Sequence, residues 1–413
     1  MNRKITFKSV VKIIDLTFWY IPIIMSMNNI KGGIFMTKVL INAHVYTGKD
    51  SIEKGYIRFD KEIISVGEME VFEAQPDEEV MDLNGKKVIP GFIDVHSHGG
   101  YGIDNMDGTS EEINEMIKKM LSEGVTSYFP TTMTQSDENI ERSLRNLSKA
   151  AEENPVIQGI HIEGPFISVE HKGAQPEKYI VVANKDKIEK WNNLSGGRIR
   201  LVTYAPETGD VSEFEEYCKK NNIIMSVGHS DAKYNDLKES AATHVTHLFN
   251  AQRGLHHREI GVTGFGLLEK AVMVEMIVDG FHIVPEMVKL AYKAKGADGI
   301  ELITDSMRAK GFPEGKSELG GQKVIVKDKQ ARLGDGTLAG SVLTYIDAFK
   351  NVIEYTGCSI EEAVKMSSVN QAKEFGLEKK GLLLPNYDAD MLILEDDLTL
   401  LETILGGKIH NVR

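Results

Sequence analysis

The chain has 413 residues, 41% hydrophobic and 26% charged, an ordinary globular composition that excludes global disorder. Its 61 acidic against 48 basic residues leave a formal charge of −13 with no basic stripe. Nucleic acid is therefore not an expected partner, and an anionic ligand would need a local basic pocket. The two cysteines, Cys218 and Cys358, form neither a disulfide framework nor a zinc knuckle and suit a reducing cytoplasm.

Residues 1–35 stand apart as an extension. Arg3, Lys4, Lys8 and Lys12 precede an apolar stretch from Ile13 to Met25. As a signal peptide it is interrupted by Asp15 and lacks an A-x-A site; as a membrane span it is too short and carries Pro22. The third reading is a start assigned too far upstream. Met36 opens a strand-like segment, and Lys31-Gly32-Gly33 is what a translated ribosome-binding site would encode. A start at Met36 and no membrane association are the expectations.

Residues 36–87 alternate apolar and polar positions in KVLINAHVYTG and YIRFDKEIISVGE, the pattern of half-buried antiparallel strands. From 88 to 375 the character changes. Eight apolar, β-branched runs recur: Val88–His96, Val125–Thr131, Val156–Glu163, Ile199–Ala205, Ile223–His229, Thr243–Phe249, Ala271–Asp279 and Ile300–Asp305. Most are followed by a helical stretch, and runs apolar on both faces fit a parallel sheet covered by helices. The first helix is the best marked, with a Thr109/Glu112 capping box and an apolar face of Ile113, Met116, Ile117, Met120 and Leu121 that ends at Gly124. Eight strand–helix units predict an α/β fold, a (β/α)8 TIM barrel. Residues 376–413 return to strands, and pairing them with 36–87 predicts one small β-sandwich domain beside the barrel.

Functional residues of such a barrel stand at the C-terminal ends of its strands. Those ends carry His96 and His98, Glu163, His229, His247 and Asp305. His96-x-His98 puts two imidazoles on one side of an extended strand, able to grip one ion. Five of the six are ligands of first-row metals by type, and Asp305 is suited to general base work. Of His244 and His247, spaced three apart, His247 is the expected ligand and His244 a core or supporting residue. His161, His171, His256 and His257 read as bland.

In this order PGFIDVHSHGG, HIEGPF, VGHSDA, THLFNA, VDGFH, LITDS, LAGS and GLLLPNYDADMLILE resemble the amidohydrolase superfamily and, within it, the N-acetylglucosamine-6-phosphate deacetylases. The resemblance runs from Met36 onward. It implies a metal-dependent hydrolase that converts N-acetyl-D-glucosamine 6-phosphate into D-glucosamine 6-phosphate and acetate, in amino sugar catabolism and cell-wall sugar recycling. The alternative is another amidohydrolase, such as an N-acetylgalactosamine-6-phosphate deacetylase. By resemblance, Glu163, His229 and His247 are the common metal ligands, and His96 and His98 are the extra pair of two-metal members. The cofactor is then a divalent metal, two ions per subunit, of Zn, Fe, Co or Mn. Asp305 matches the catalytic aspartate. Ala174, Gln175, Asn250, Ala251, Arg258, His282, Leu338, Ala339 and Gly340 match substrate contacts. Gln175 stands where some single-metal relatives have His, so polarising the acetyl carbonyl is expected to pass to a metal. The family also implies a cytoplasmic homodimer, with Arg258 reaching the neighbour's phosphate site in trans; a cis contact is the alternative.

Overall fold

The structure, a computed structural model, describes residues 37–412, so the extension over 1–35 lies outside the described residues. Eight parallel strands follow one another in sequence order around a barrel. They are Phe92–Ser97, Val125–Thr132, Ile160–Glu163, Ile199–Tyr204, Ile224–Val227, His244–Val245, Met273–Ile277 and Ile300–Ile303. All eight residues of Val125–Thr132 are buried, as a strand covered on both faces requires.

The first and eighth strands meet through individual hydrogen bonds instead of a ladder. The Asp305 amide donates to the His96 carbonyl and the His98 amide to the Ser306 carbonyl, both at 2.8 Å. Thr304 Oγ1 donates to Asp94 Oδ2 at 2.6 Å. The Tyr345 hydroxyl lies 3.1 Å from Ile93 O and 2.8 Å from Leu302 O, spanning the seam. Closure of the barrel therefore sets His96 and His98 against Asp305.

The helix Ser110–Met120 starts where the Thr109 hydroxyl accepts from the Glu112 amide and the Glu112 carboxylate accepts from the Thr109 amide. Ile113, Met116, Ile117 and Met120 are buried on one face, each contributing about 1.5–3 kcal/mol of transfer free energy. The chain leaves this helix at Gly124, φ +85°, where a Cβ would meet the Phe92 ring at 2.9 Å. Only glycine fits that turn without displacement.

The run from Val88 to His96 divides at Gly91. Lys87–Pro90 pairs antiparallel with Met391–Leu394, in the register Met391 with Pro90 and Leu394 with Lys87. These two strands join the N-terminal strands (Lys38–Tyr46, Ser51–Phe59, Ile63–Glu68 and Glu79–Asp82) to the C-terminal ones (Leu400–Leu405 and Lys408–Asn411) in one eight-stranded sheet. Lys38–Tyr46 pairs with Glu79–Asp82 along its first half and with Lys87–Pro90 near its end. That branching lets the sheet enclose a core of its own, built on Leu40, Ile57, Phe59, Met391 and Ile404.

Two differences from the sequence reading bear on the site. The sixth run, Thr243–Phe249, is extended only over His244–Val245, because the chain turns left-handed at His247, φ +31°. The segment after the eighth strand holds a three-stranded antiparallel sheet (Gly315–Leu319, Gln322–Lys327 and Gln330–Leu333) that periodicity did not reveal. Gln322 Nε2 fastens it to the Ala174 carbonyl at 2.5 Å, above the barrel mouth. Among the described residues no helix is long and apolar enough to cross a membrane.

Candidate active site

Glu163 ends the third barrel strand and forms the centre of the site. His247 Nε2 and His229 Nε2 lie 3.0 and 3.2 Å from its Oε1, and His98 Nε2 lies 3.1 Å from its Oε2. His96 Nε2 is 3.5 Å from Oε1. Asp305 faces the same histidines, with Oδ1 at 3.3 Å from His98 Nε2 and 3.6 Å from His96 Nε2. All six side chains are buried. Their donor atoms fall into two groups, His96–His98–Asp305 and Glu163–His229–His247, each able to close on one ion.

The backbone is bent to bring these groups inward. His229, His247 and Asp305 have φ of +48°, +31° and +46°, a left-handed conformation rare outside glycine. Three such residues at the ends of three strands form the kind of cluster in which strain is held by the surrounding structure at functional sites.

Further groups orient the rings. His171 O lies 2.9 Å from His229 Nδ1, and Glu275 Oε2 lies 2.8 Å from His96 Nδ1. In each ring this leaves Nε2 as the ligating nitrogen, the arrangement by which outer partners set the tautomer of a metal-binding histidine. Glu275 Oε2 also accepts from the His247 amide at 3.1 Å. Gln175 Nε2 donates to Glu163 Oε2 at 2.7 Å while its Oε1 accepts from the Thr134 amide. His161, next to His96, is held by Thr203 at 2.8 Å, and burial and the neighbouring His96 keep its pKa well below the usual value.

Electrostatics favour a cation. Burial opposes ionisation of Glu163, but His96, His229, His247 and His98 outweigh it and hold the carboxyl well below its ordinary range. Asp305 is likewise lowered against burial, by His96 and His98. Burial also works against charge on His96, yet Glu275, Asp305 and Glu163 raise its pKa to about 9. Both carboxylates are thus in the ligating form. His96 Nε2 and Asp305 Oδ1 are buried without a hydrogen-bond partner, a deficit that an ion between them would remove. Imidazole and carboxylate donors in this number fit a divalent first-row metal.

A cavity of about 190 Å3 opens over the cluster. Ala174, Gln175, Asn250, Ala251, His282, Leu338 and Gly340 line it beside the cluster residues. His282 is fixed in the wall by Asp279, whose Oδ2 lies 2.7 Å from its Nδ1. Ala339 is fully buried between its two lining neighbours and does not line the cavity. Arg258 does not line it either. It is exposed on the loop after the sixth strand, with Nη1 2.8 Å from His257 Nε2.

Sequence reasoning missed Glu275, Met133, Leu319 and Thr337. The last three line the cavity from loops and from the three-stranded sheet and carry no chemical signature. Glu275 did leave a signal. A carboxylate inside the apolar strand MVEMI is costly unless paired, so a buried partner was implied.

The geometry agrees with the comparisons. The amidohydrolase family profile matches residues 87–410. An N-acetylglucosamine-6-phosphate deacetylase of Lysinibacillus sphaericus is 44% identical over 337 residues, 80% of this chain and 87% of the relative. A second, of Bacillus subtilis (strain 168), is 39% identical over 375 residues, 88% of this chain and 95% of the relative. The crystal structure of N-acetylglucosamine-6-phosphate deacetylase from Thermotoga maritima superposes with a TM-score of 0.81 at 36% identity, covering 90% of this chain and 99% of that one. With a barrel, a buried His/carboxylate cluster and relatives that span nearly its whole length, the chain belongs to the amidohydrolase family and, within it, to the N-acetylglucosamine-6-phosphate deacetylases.

Proposed function

We infer that the chain hydrolyses the amide of N-acetyl-D-glucosamine 6-phosphate, releasing acetate and D-glucosamine 6-phosphate, a step of amino sugar catabolism. The observation that carries this reading is Glu163, reached by four histidines from three other strands or their ends, with Asp305 facing it across the barrel mouth.

Glu163, His229 and His247 would hold one divalent ion and His96 and His98 a second. When bound, such ions polarise a carbonyl oxygen and make water a stronger acid. Asp305 is the proton carrier. Held ionised by His96 and His98, it takes a proton from the attacking water as the water oxygen bonds to the acetyl carbon. It returns that proton to the amine nitrogen as the C–N bond breaks, giving acetic acid and a neutral amine; the acid's proton then passes to the amine, so acetate and the ammonium form of the sugar leave. Gln175 keeps Glu163 oriented, and the Asp279–His282 pair with Asn250, Ala251 and Ala174 offers polar and backbone groups to the sugar.

Phosphate recognition falls to Arg258, whose planar fork matches phosphate oxygens. Its exposure outside its own chain's cavity supports a contact in trans within a homodimer. The buried, unpaired cysteines Cys218 and Cys358 are compatible with a cytoplasmic setting.

The test is acetate release from N-acetylglucosamine 6-phosphate, its galacto epimer and unphosphorylated N-acetylglucosamine. The highest kcat/KM is expected for the first. A higher value for the galacto epimer would overturn the substrate, and no acetate from any of the three would overturn the reaction.

A further inference from the structure

The barrel holds a second cluster of ligating groups at its opposite end. His244 opens the sixth strand, three residues before His247, and is fully buried. Its Nδ1 lies 3.0 Å from Glu374 Oε2, at the end of the helix Asn370–Glu374. Glu301, from the eighth strand, is fully buried, and neither of its oxygens receives a hydrogen bond. One ligand atom from each of His244, Glu301 and Glu374 lies within 4.8 Å of the others. Two carboxyl groups at this range, one wholly enclosed, are an unstable arrangement unless a proton or a cation sits between them.

The remaining nitrogen of His244 is already committed. Nε2 faces Glu275 Oε1 at 3.3 Å, an ion-pair contact and not an aligned hydrogen bond. Glu275 Oε2 meets His96 on the other side, so one carboxylate orients two histidines that point to opposite ends of the barrel. A carboxylate behind one imidazole nitrogen is how proteins present the other nitrogen to a metal. Access exists as well. A cavity of about 580 Å3 opens on this end and is lined by Glu374 and Thr243 together with Arg200, Lys219 and Asn222.

We propose that His244 Nδ1, Glu301 and Glu374 form a further divalent-cation site of the zinc class, distinct from the Glu163 cluster and structural in role. One imidazole and two carboxylates, with water from the cavity in the fourth position, satisfy a tetrahedral ion. The ion clamps the sixth strand, the eighth strand and the helix Asn370–Glu374. On binding, His244 Nδ1 gives up its proton to solvent through the cavity, as does the Glu301 acid. The site stands independently of the deacetylase reading.

The experiment measures zinc content. Wild type, Glu301→Gln and Glu374→Gln are stripped with chelator, reloaded with zinc, desalted and analysed by mass spectrometry, with circular dichroism to confirm folding. Each variant is expected to hold one zinc per chain fewer than wild type, with unchanged deacetylase activity. Equal zinc content in all three overturns the proposal. Should a variant not fold, an anomalous map of wild-type crystals at the zinc edge decides. A peak about 2.0–2.2 Å from His244 Nδ1 and the carboxylate oxygens is expected, and its absence overturns the site.

Discussion

Replacing Asp305 by Asn removes the proposed proton carrier and, with it, the carboxylate that faces His98 at 3.3 Å and His96 at 3.6 Å. The side chains are isosteric, and the backbone bond from the residue 305 amide to the His96 carbonyl, 2.8 Å, does not involve the carboxylate. The left-handed φ of +46° is no obstacle, because Asn tolerates that region better than most residues. Stability should therefore change little. Glu163, His229 and His247 are untouched, so an ion held there should remain. The amide cannot accept a proton at this position, and a positioned general acid–base group contributes about 10²–10⁴-fold. At 1.36 kcal/mol per decade, the barrier should rise by about 2.7–5.4 kcal/mol. Steady-state acetate release should show kcat down by at least about 10² with KM within about threefold, alongside an unaltered thermal melt. A kcat within about tenfold of wild type, in protein that keeps its metal, would refute the assignment of Asp305.

Four further outcomes are expected. Glu275→Gln should weaken metal binding about 10–100-fold in a chelator competition, because Glu275 orients His96 at 2.8 Å; unchanged affinity would show that the contact is only structural. Changing His96 and His98 together to Asn should lower the metal content of the Glu163 cluster from about two ions to one, and a wild-type cluster that saturates at one ion with full activity would exclude a binuclear site. Lys310→Met should cost about 3–5 kcal/mol in denaturant unfolding, because Lys310 is fully buried 3.0 Å from Glu123 and the change strands that carboxylate; a loss under about 1 kcal/mol would contradict this. Reassociating Arg258→Ala with Asp305→Asn subunits should restore about a quarter of wild-type activity if Arg258 acts in trans, whereas baseline activity with mixed dimers present would mean a cis contact.

Much of the molecule was legible in the sequence because its signals are local. Runs such as Val125–Thr131 are β-branched and aromatic without a charged face, which fits a strand covered on both sides, and their spacing implies the barrel. The Thr109–Glu112 box and the glycine at 124 marked a helix that starts and stops where they stand. Residue chemistry at the strand ends pointed to His96, His98, Glu163, His229, His247 and Asp305, since the C-terminal ends of all eight strands must converge on one mouth.

What only the tertiary structure decided depends on partners far apart in the chain. Glu275 looks like an isolated defect in an apolar strand until closure of the barrel brings His96 to it from 179 residues away. Lys310 finds Glu123 across 187 residues, and no periodicity encodes that meeting. The three-stranded sheet over the mouth escaped notice because its strands are half exposed and glycine-punctuated, with no continuous apolar run. Arg258 read as a phosphate contact through the family resemblance, with a contact in trans expected; its loop carries it to the surface outside its own cavity. Sequence determines which segments must be buried and which side chains cannot be buried alone. Which distant groups meet to satisfy those side chains is settled by the closed geometry of the barrel, where the position of every strand constrains all the others.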